Sequence, residues 1–124
     1  VDPKTVEWWA NQEESVRNEA LGGDDRVSIT DALVNLRDWI GRGPVNPWGN
    51  GDDFDCVILD QAYKSVSMKT PWAFWDTRDV RTVMDLGGVK PWDLPPNDKH
   101  HPIHDCYRQI NGVKRSFVNM GLYK

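Results

Sequence analysis

Residues Asn50 to Leu59 read NGDDFDCVIL. Three aspartates, Asp52, Asp53 and Asp55, crowd four positions behind a Trp48-Gly49-Asn50-Gly51 run, and the apolar run Cys56-Val57-Ile58-Leu59 follows at once. That order reads as a turn opening a helix, with Asp53 or Asp55 at its start. Carboxylates are favoured there because the first backbone N–H groups of a helix lack partners and carry partial positive charge. Val57, Ile58, Leu59, Ala62 and Tyr63 continue the helix. The preceding segment, Pro44 to Gly49, reads as a short extended piece, a buried strand. Two accounts of the crowded carboxylates compete: a solvated acidic turn, or a metal ligand held rigidly at the mouth of a helix.

Working outward, periodicity predicts further helices. Thr5 caps one running to about Asn11, Glu13 to Leu21 forms a second before Gly22-Gly23, and Ser28 or Thr30 caps a third carrying Leu33, Leu36 and Ile40 to Gly41. A short helix spans Arg78 to Leu86. The last helix carries one apolar stripe: Ile103, Cys106 or Tyr107, Ile110, Val113, Phe117 and Met120. The chain is thus mostly helical, with one or two strands. Its seven tryptophans are spread along it, which reads as core and sub-core packing.

At 124 residues the chain fits a single domain, 1–124. No apolar run is long enough to cross a bilayer, and VDPKTVEWW has no signal-peptide pattern. Two cysteines, Cys56 and Cys106, are too few for a disulfide scaffold and read as small buried helix residues in a reducing, cytoplasmic compartment. A net charge of -4 argues against a passive, charge-driven nucleic-acid binder, but not against a nuclease with an acidic metal site. From Asp98 onward Lys99, Arg108, Lys114, Arg115 and Lys124 outnumber Asp98 and Asp105. The plainer reading is a solvated helix face, and the functional one is a surface for a phosphate backbone.

A second acidic position pairs with histidine. HHPIHD, His100 to Asp105, opens the last helix, so an aspartate on a helix follows His100 by five residues and His101 by four. Metal-dependent hydrolysis divides labour this way: a fixed carboxylate holds the cation and a nearby base takes a proton from water.

The order TVEWWANQ (5–12), WGNGDDFDCVIL (48–59), PWAFWDTRDVRT (71–82) and HPIHDC (101–106) resembles the DEDD exonucleases of the DnaQ-like superfamily, and within it the DEDDh branch. It is most similar to the phage and prophage exonucleases grouped with the Rv2179c-type 3′-5′ exoribonuclease domain. The resemblance implies an α/β, RNase H-like fold and hydrolysis of nucleic acid from a 3′ end with two divalent cations, Mg²⁺ or Mn²⁺. By position it implies Asp55 and Asp105 as metal ligands, His100 as the base with His101 as the competing assignment, and single-stranded DNA or RNA 3′ ends as partners. Phe54 would lie against a substrate base. Arg78 or Arg81 would touch a phosphate, against the plainer reading of surface ion pairs with Asp76, Asp79 or Asp85.

One feature of the family pattern has no counterpart. No Asp-x-Glu precedes Asp55, so the chain is expected to be the C-terminal portion of the catalytic domain, inactive alone, and to associate either with itself or with the missing N-terminal part. The competing function is a non-catalytic nucleic-acid-binding or protein-interaction module. A zinc cluster of His100, His101, His104 and Cys106 fits no standard zinc spacing.

Overall fold

The computed structural model describes residues 2–23, 25–96 and 101–122. The elements are α1 (Pro3–Ala10), α2 (Glu14–Leu21), α3 (Ile29–Ile40), β1 (Trp48–Gly49), α4 (Asp52–Ser65), β2 (Arg78–Asp79), α5 (Val80–Leu86) and α6 (Pro102–Asn119). Short 3₁₀ turns at Phe74–Asp76 and Pro91–Asp93 shape the connections around α5. A mostly helical chain with a two-stranded parallel sheet fits the α/β class.

Local chemistry sets where the helices begin, and in two places it differs from expectation. The cap of α1 is Asp2, not Thr5: its carboxylate accepts from the Thr5 N–H at 2.9 Å and the Thr5 hydroxyl at 3.0 Å. Pro3, with its backbone already near helical values, then fills the first helical position. Helix α4 starts at Asp52, earlier than Asp53 or Asp55, because Gly51 adopts φ +98° and turns the chain directly into the helix. Ser28 caps α3 as expected, its Oγ accepting from Asp31 N–H at 3.1 Å.

Two expected elements changed. The buried strand over 44–49 contracts to Trp48 and Gly49, and the Trp48 side chain is exposed. The helix expected from Arg78 begins at Val80, since Arg78 and Asp79 extend to pair in parallel with Trp48 and Gly49. Beta pairing thereby overrides helical propensity for two residues and brings the loop before α4 against the start of α5.

The main core lies between α5 and α6, where Val80, Met84, Val89 and Leu94 cluster with Val113 against them. These helices meet through small residues. A side chain at Gly112 would place its Cβ 2.6 Å from Met84 Sδ, and one at Gly87 would place it 2.4 Å from Ser116 Cβ. Only glycine permits that approach, so the buried positions of α6 are Gly112 and Ser116. The expected apolar stripe is largely elsewhere: Ile103, Tyr107 and Ile110 are exposed, and Val113 and Phe117 are half-buried. Arg108 donates to the carbonyls of Pro91 and Pro95, and Arg115 to that of Asp93, so these two cations staple the 91–95 loop to α6 and do not form a merely solvated face. A second buried point joins α3 to α4. Tyr63 is fully buried, its hydroxyl donating to Leu33 O at 2.9 Å, and burial raises its pKa.

Most tryptophans do not pack in the core. Trp39, Trp75 and Trp92 are well exposed, and Trp8 and Trp48 are about half so. The cysteines divide: Cys56 is buried in α4 and Cys106 is exposed, both as free thiols. Burial, then the carboxylates of Asp52 and Asp55, push the Cys56 thiol up.

Candidate active site

The acidic turn is anchored from beneath by Asp79. This residue ends β2 and caps α5, and its carboxylate meets only donors. Oδ1 accepts from Gly51 N–H at 3.0 Å and Arg81 N–H at 3.2 Å, and Oδ2 accepts from Thr82 N–H at 3.1 Å and the Thr82 hydroxyl at 2.6 Å. Burial alone would raise the Asp79 carboxyl. The Thr82 hydroxyl and the N–H groups of Gly51, Thr82 and Arg81 outweigh that and hold it below its ordinary value. Thr77 adds a second tie, its hydroxyl donating to Asp52 Oδ2 at 3.1 Å. The first turn of α4 is therefore fixed to the 77–82 segment by the strand pair, by Asp79 and by Thr77.

All three aspartates lie in the first turn of α4, where the helix dipole favours negative charge. Asp52 is half-buried and committed to Thr77, whereas Asp53 and Asp55 are exposed. Phe54, between them, is exposed beside α1. Asp105 occupies the first turn of α6, half-buried, its N–H donating to His101 O at 2.9 Å. It lines a cavity of about 240 Å³ with Asn50, Met84, Pro91, Leu94, Arg108 and Gln109. The structure thus brings Asp105 together with Asn50, from the loop that leads into α4. Asp55 is not part of that cavity's lining.

His100 lies outside the described residues. His101 is the residue before the first turn of α6 and its ring stacks on that of His104 at 4.0 Å. Its Nε2 lies 3.1 Å from Glu19 Oε2 on α2, and its buried Nδ1 has no hydrogen-bond partner among the described residues. Nothing in the sequence pointed to Glu19, which is distant along the chain. Asp79 carries a legible signal beyond its ion-pair reading, an aspartate three residues before Thr82 at a helix start.

Among the described residues neither Arg78 nor Arg81 forms the ion pair with Asp76, Asp79 or Asp85 that the plainer reading expects. Arg78 folds back on its own backbone, Nη1 donating to Trp75 O at 3.0 Å and Thr77 O at 2.9 Å. The aspartates it was expected to pair with are otherwise engaged: Asp76 accepts from Ala73 N–H, Asp79 caps α5, and Asp85 pairs with Lys90 at 3.1 Å. The Arg81 guanidinium lies over Gly51, where an added Cβ would come 3.1 Å from its Nη1 and 3.2 Å from Asp53 Oδ1. A cation therefore stands at the acidic turn itself.

Among the described residues no three metal-ligating side chains converge. The oxygen donors present, carboxylates and the Asn50 amide, have the hardness that Mg²⁺ or Mn²⁺ prefers. Two carboxylates supply few of the six oxygens that an octahedral Mg²⁺ shell takes. No helix among the described residues is long and apolar enough to cross a membrane.

No curated protein and no solved structure matches the chain. The family model described as the 3′-5′ exoribonuclease Rv2179c-like domain matches residues 1–117. That span takes in every element from α1 to most of α6, including the acidic turn and the HPIHDC segment, and the protein belongs to this family of nucleases.

Proposed function

We propose that the chain forms part of a DEDDh-type 3′-5′ exonuclease with an RNase H-like fold, akin to those of phages and prophages, acting on single-stranded RNA or DNA ends. The observation that carries the reading is the family match over residues 1–117 combined with two helix-borne aspartates, Asp55 and Asp105, each in a first turn. On this reading the divalent cations, Mg²⁺ or Mn²⁺, supply Lewis-acid stabilisation and an activated nucleophile. The chain's own residues hold and position. Asp55 and Asp105 offer carboxylate oxygens, and His100, or His101 in its place, accepts the proton of the attacking water. Phe54 meets a base, and Arg81 at the mouth of α4 meets a phosphate. Arg78 acts through the backbone it braces. The remaining oxygen ligands come from an Asp-x-Glu segment, which does not occur among the 124 residues.

A 5′-labelled single-stranded oligonucleotide, ribo or deoxyribo, tests this with Mg²⁺, Mn²⁺ or EDTA. The 124 residues alone should release no nucleotide. Protein that also carries the Asp-x-Glu strand should shorten the substrate from its 3′ end, and Asp55→Asn or Asp105→Asn should abolish that. Cleavage that survives both substitutions refutes the assignment. A second reading, a module that binds nucleic acid or protein without cutting, is favoured by the lack of a converged metal cluster among the described residues. It expects binding without cleavage under every condition.

A further inference from the structure

We infer that Glu19, on α2, is a positioning residue for the start of α6: it holds the His101 ring and, through it, the helical turn that carries Asp105. This rests on the nuclease reading above and adds a residue to its site. Glu19 Oε2 lies 3.1 Å from His101 Nε2, the two side chains being 54% and 22% exposed. Core packing does not account for the meeting, because α2 buries no residue. A hold on the His101 ring passes on to α6 by two routes. The ring lies on that of His104, centroids 4.0 Å apart with planes 19° from parallel. The His101 carbonyl accepts from the Asp105 N–H at 2.9 Å, at the first turn of the helix. Pro102 follows His101 with a fixed φ, so little backbone freedom separates the ring from that turn.

The chemistry of His101 fits this role better than either alternative. Serine, threonine, aspartate and asparagine cap helices by accepting from the first free N–H groups, and the His101 side chain makes no such bond. As a proton acceptor it is badly placed. Its Nδ1 is buried without a hydrogen-bond partner among the described residues, and its Nε2 faces the Glu19 carboxylate. One nitrogen is enclosed and the other engaged, so of the two histidines named for the base, His101 takes the holding role. A carboxylate behind a histidine fixes how the ring is turned. Magnitude separates holding from folding. A pair this exposed shifts a local opening equilibrium by only about two- to fivefold, so its loss leaves the fold standing. A residue behind a ligand-bearing turn matters more to the chemistry, with losses of about ten- to a hundredfold on removal.

Two measurements test the inference. In the 124-residue chain, hydrogen exchange of the Asp105 amide should quicken about two- to fivefold in Glu19→Ala, with the urea midpoint unchanged. Glu19→Gln, which keeps an oxygen acceptor, should return it toward wild type. In protein that also carries the Asp-x-Glu strand, Glu19→Ala should lower kcat on a 5′-labelled single-stranded oligonucleotide about tenfold with KM unchanged, and Glu19→Gln should restore most of it. Glu14→Ala, at an exposed carboxylate on the same helix, should change neither exchange nor kcat. An Asp105 amide unmoved in Glu19→Ala overturns the inference, and so does an unmoved kcat. Cleavage by wild type leaves the nuclease reading standing in either case. If wild type cleaves nothing, that reading falls, and the amide alone decides whether Glu19 holds the turn.

Discussion

Replacing Asp79 tests how the acidic turn is held. Its carboxylate joins two structures at once, the N-terminus of α5 and Gly51 at the start of α4. Loss of an aspartate cap costs about 1 kcal/mol, and loss of a hydrogen bond to a charged group about 1.5–3 kcal/mol. Because Asp79 is only half-buried, the lower part of the combined range applies, and Asp79→Ala should destabilise the chain by about 2–3 kcal/mol. Asp79→Asn should not be harmless, although asparagine caps helices well. All four partners are donors, so the new amide must turn its NH₂ toward one pair. The Thr82 hydroxyl can reverse and accept, but the Thr82 N–H cannot, which costs about 1 kcal/mol. The pH dependence has a defined sign. A carboxyl held below its ordinary value adds stability above its unfolded pKa, about 3.9, and loses that stability as pH falls through the lower folded value. Urea denaturation at pH 7 should therefore show the full gap between wild type and Asp79→Asn, and at about pH 3 or below that gap should narrow. Equal midpoints for wild type and Asp79→Ala at pH 7, or a gap that widens in acid, would refute the reasoning.

Gly51→Ala should destabilise by about 1–3 kcal/mol in the same denaturation assay, because φ +98° strains any L side chain and the Arg81 guanidinium must also move. Tyr63→Phe leaves the Leu33 carbonyl without its buried donor and should cost about 1–2 kcal/mol, read as a lower urea midpoint at unchanged slope. Gly87→Ala forces its Cβ into Ser116 and should part α5 from α6, costing at least about 1–3 kcal/mol and loosening amide-exchange protection in both helices. The accessible surface, 9544 Å², exceeds the roughly 6,800 Å² of a compact monomer of this length. The excess is enough for a standard interface of about 1,600 Å². We expect a strand or a second copy to cover the apolar groove of about 510 Å³ between Trp48, Val80, Ile110 and Phe117. Light scattering that reports a monomer at every concentration, with no bound peptide, would count against this.

Helical periodicity and caps were legible where one rule acted alone. Ser28 before Ile29 and the apolar spacing of α3 needed no tertiary information, and the two-glycine stop after Leu21 was equally local. Misreadings arose where two parts of the chain decide together. Arg78 and Asp79 look helical until Trp48 and Gly49 offer a parallel partner. The α6 stripe looked like a core face because leucine-like residues usually mark one. Here the contact is made by Gly112 and Ser116, and closeness of approach replaces side-chain volume. Exposed tryptophans escaped for a similar reason, since composition does not say which rings have a neighbour. At the site, the acidic turn and the Asp105 position were readable as motifs. The Glu19–His101 contact and the four-donor shell of Asp79 were not, because both join residues from different elements.

Asp52, Asp53 and Asp55 crowd one helical turn but differ in their surroundings. A turn needing only charge would leave all three carboxylates equivalent. They are not equivalent here. Asp52 is drawn inward to Thr77, and with Asp79 beneath Gly51 it ties the turn down. Asp53 stands beside Gly51, where the Arg81 guanidinium also lies and offsets part of the negative charge. The Asp55 carboxylate makes no hydrogen bond or ion pair among the described residues, and it sits on a helix whose start is tied down by Asp52, by Asp79 and by the β1–β2 pair. Concentrating three carboxylates costs repulsion that the dipole of α4 and one arginine only partly offset. Asp52 spends its charge on Thr77, while Asp53 and Asp55 keep theirs exposed at the N-terminus of α4, where the helix dipole lowers the cost of crowding.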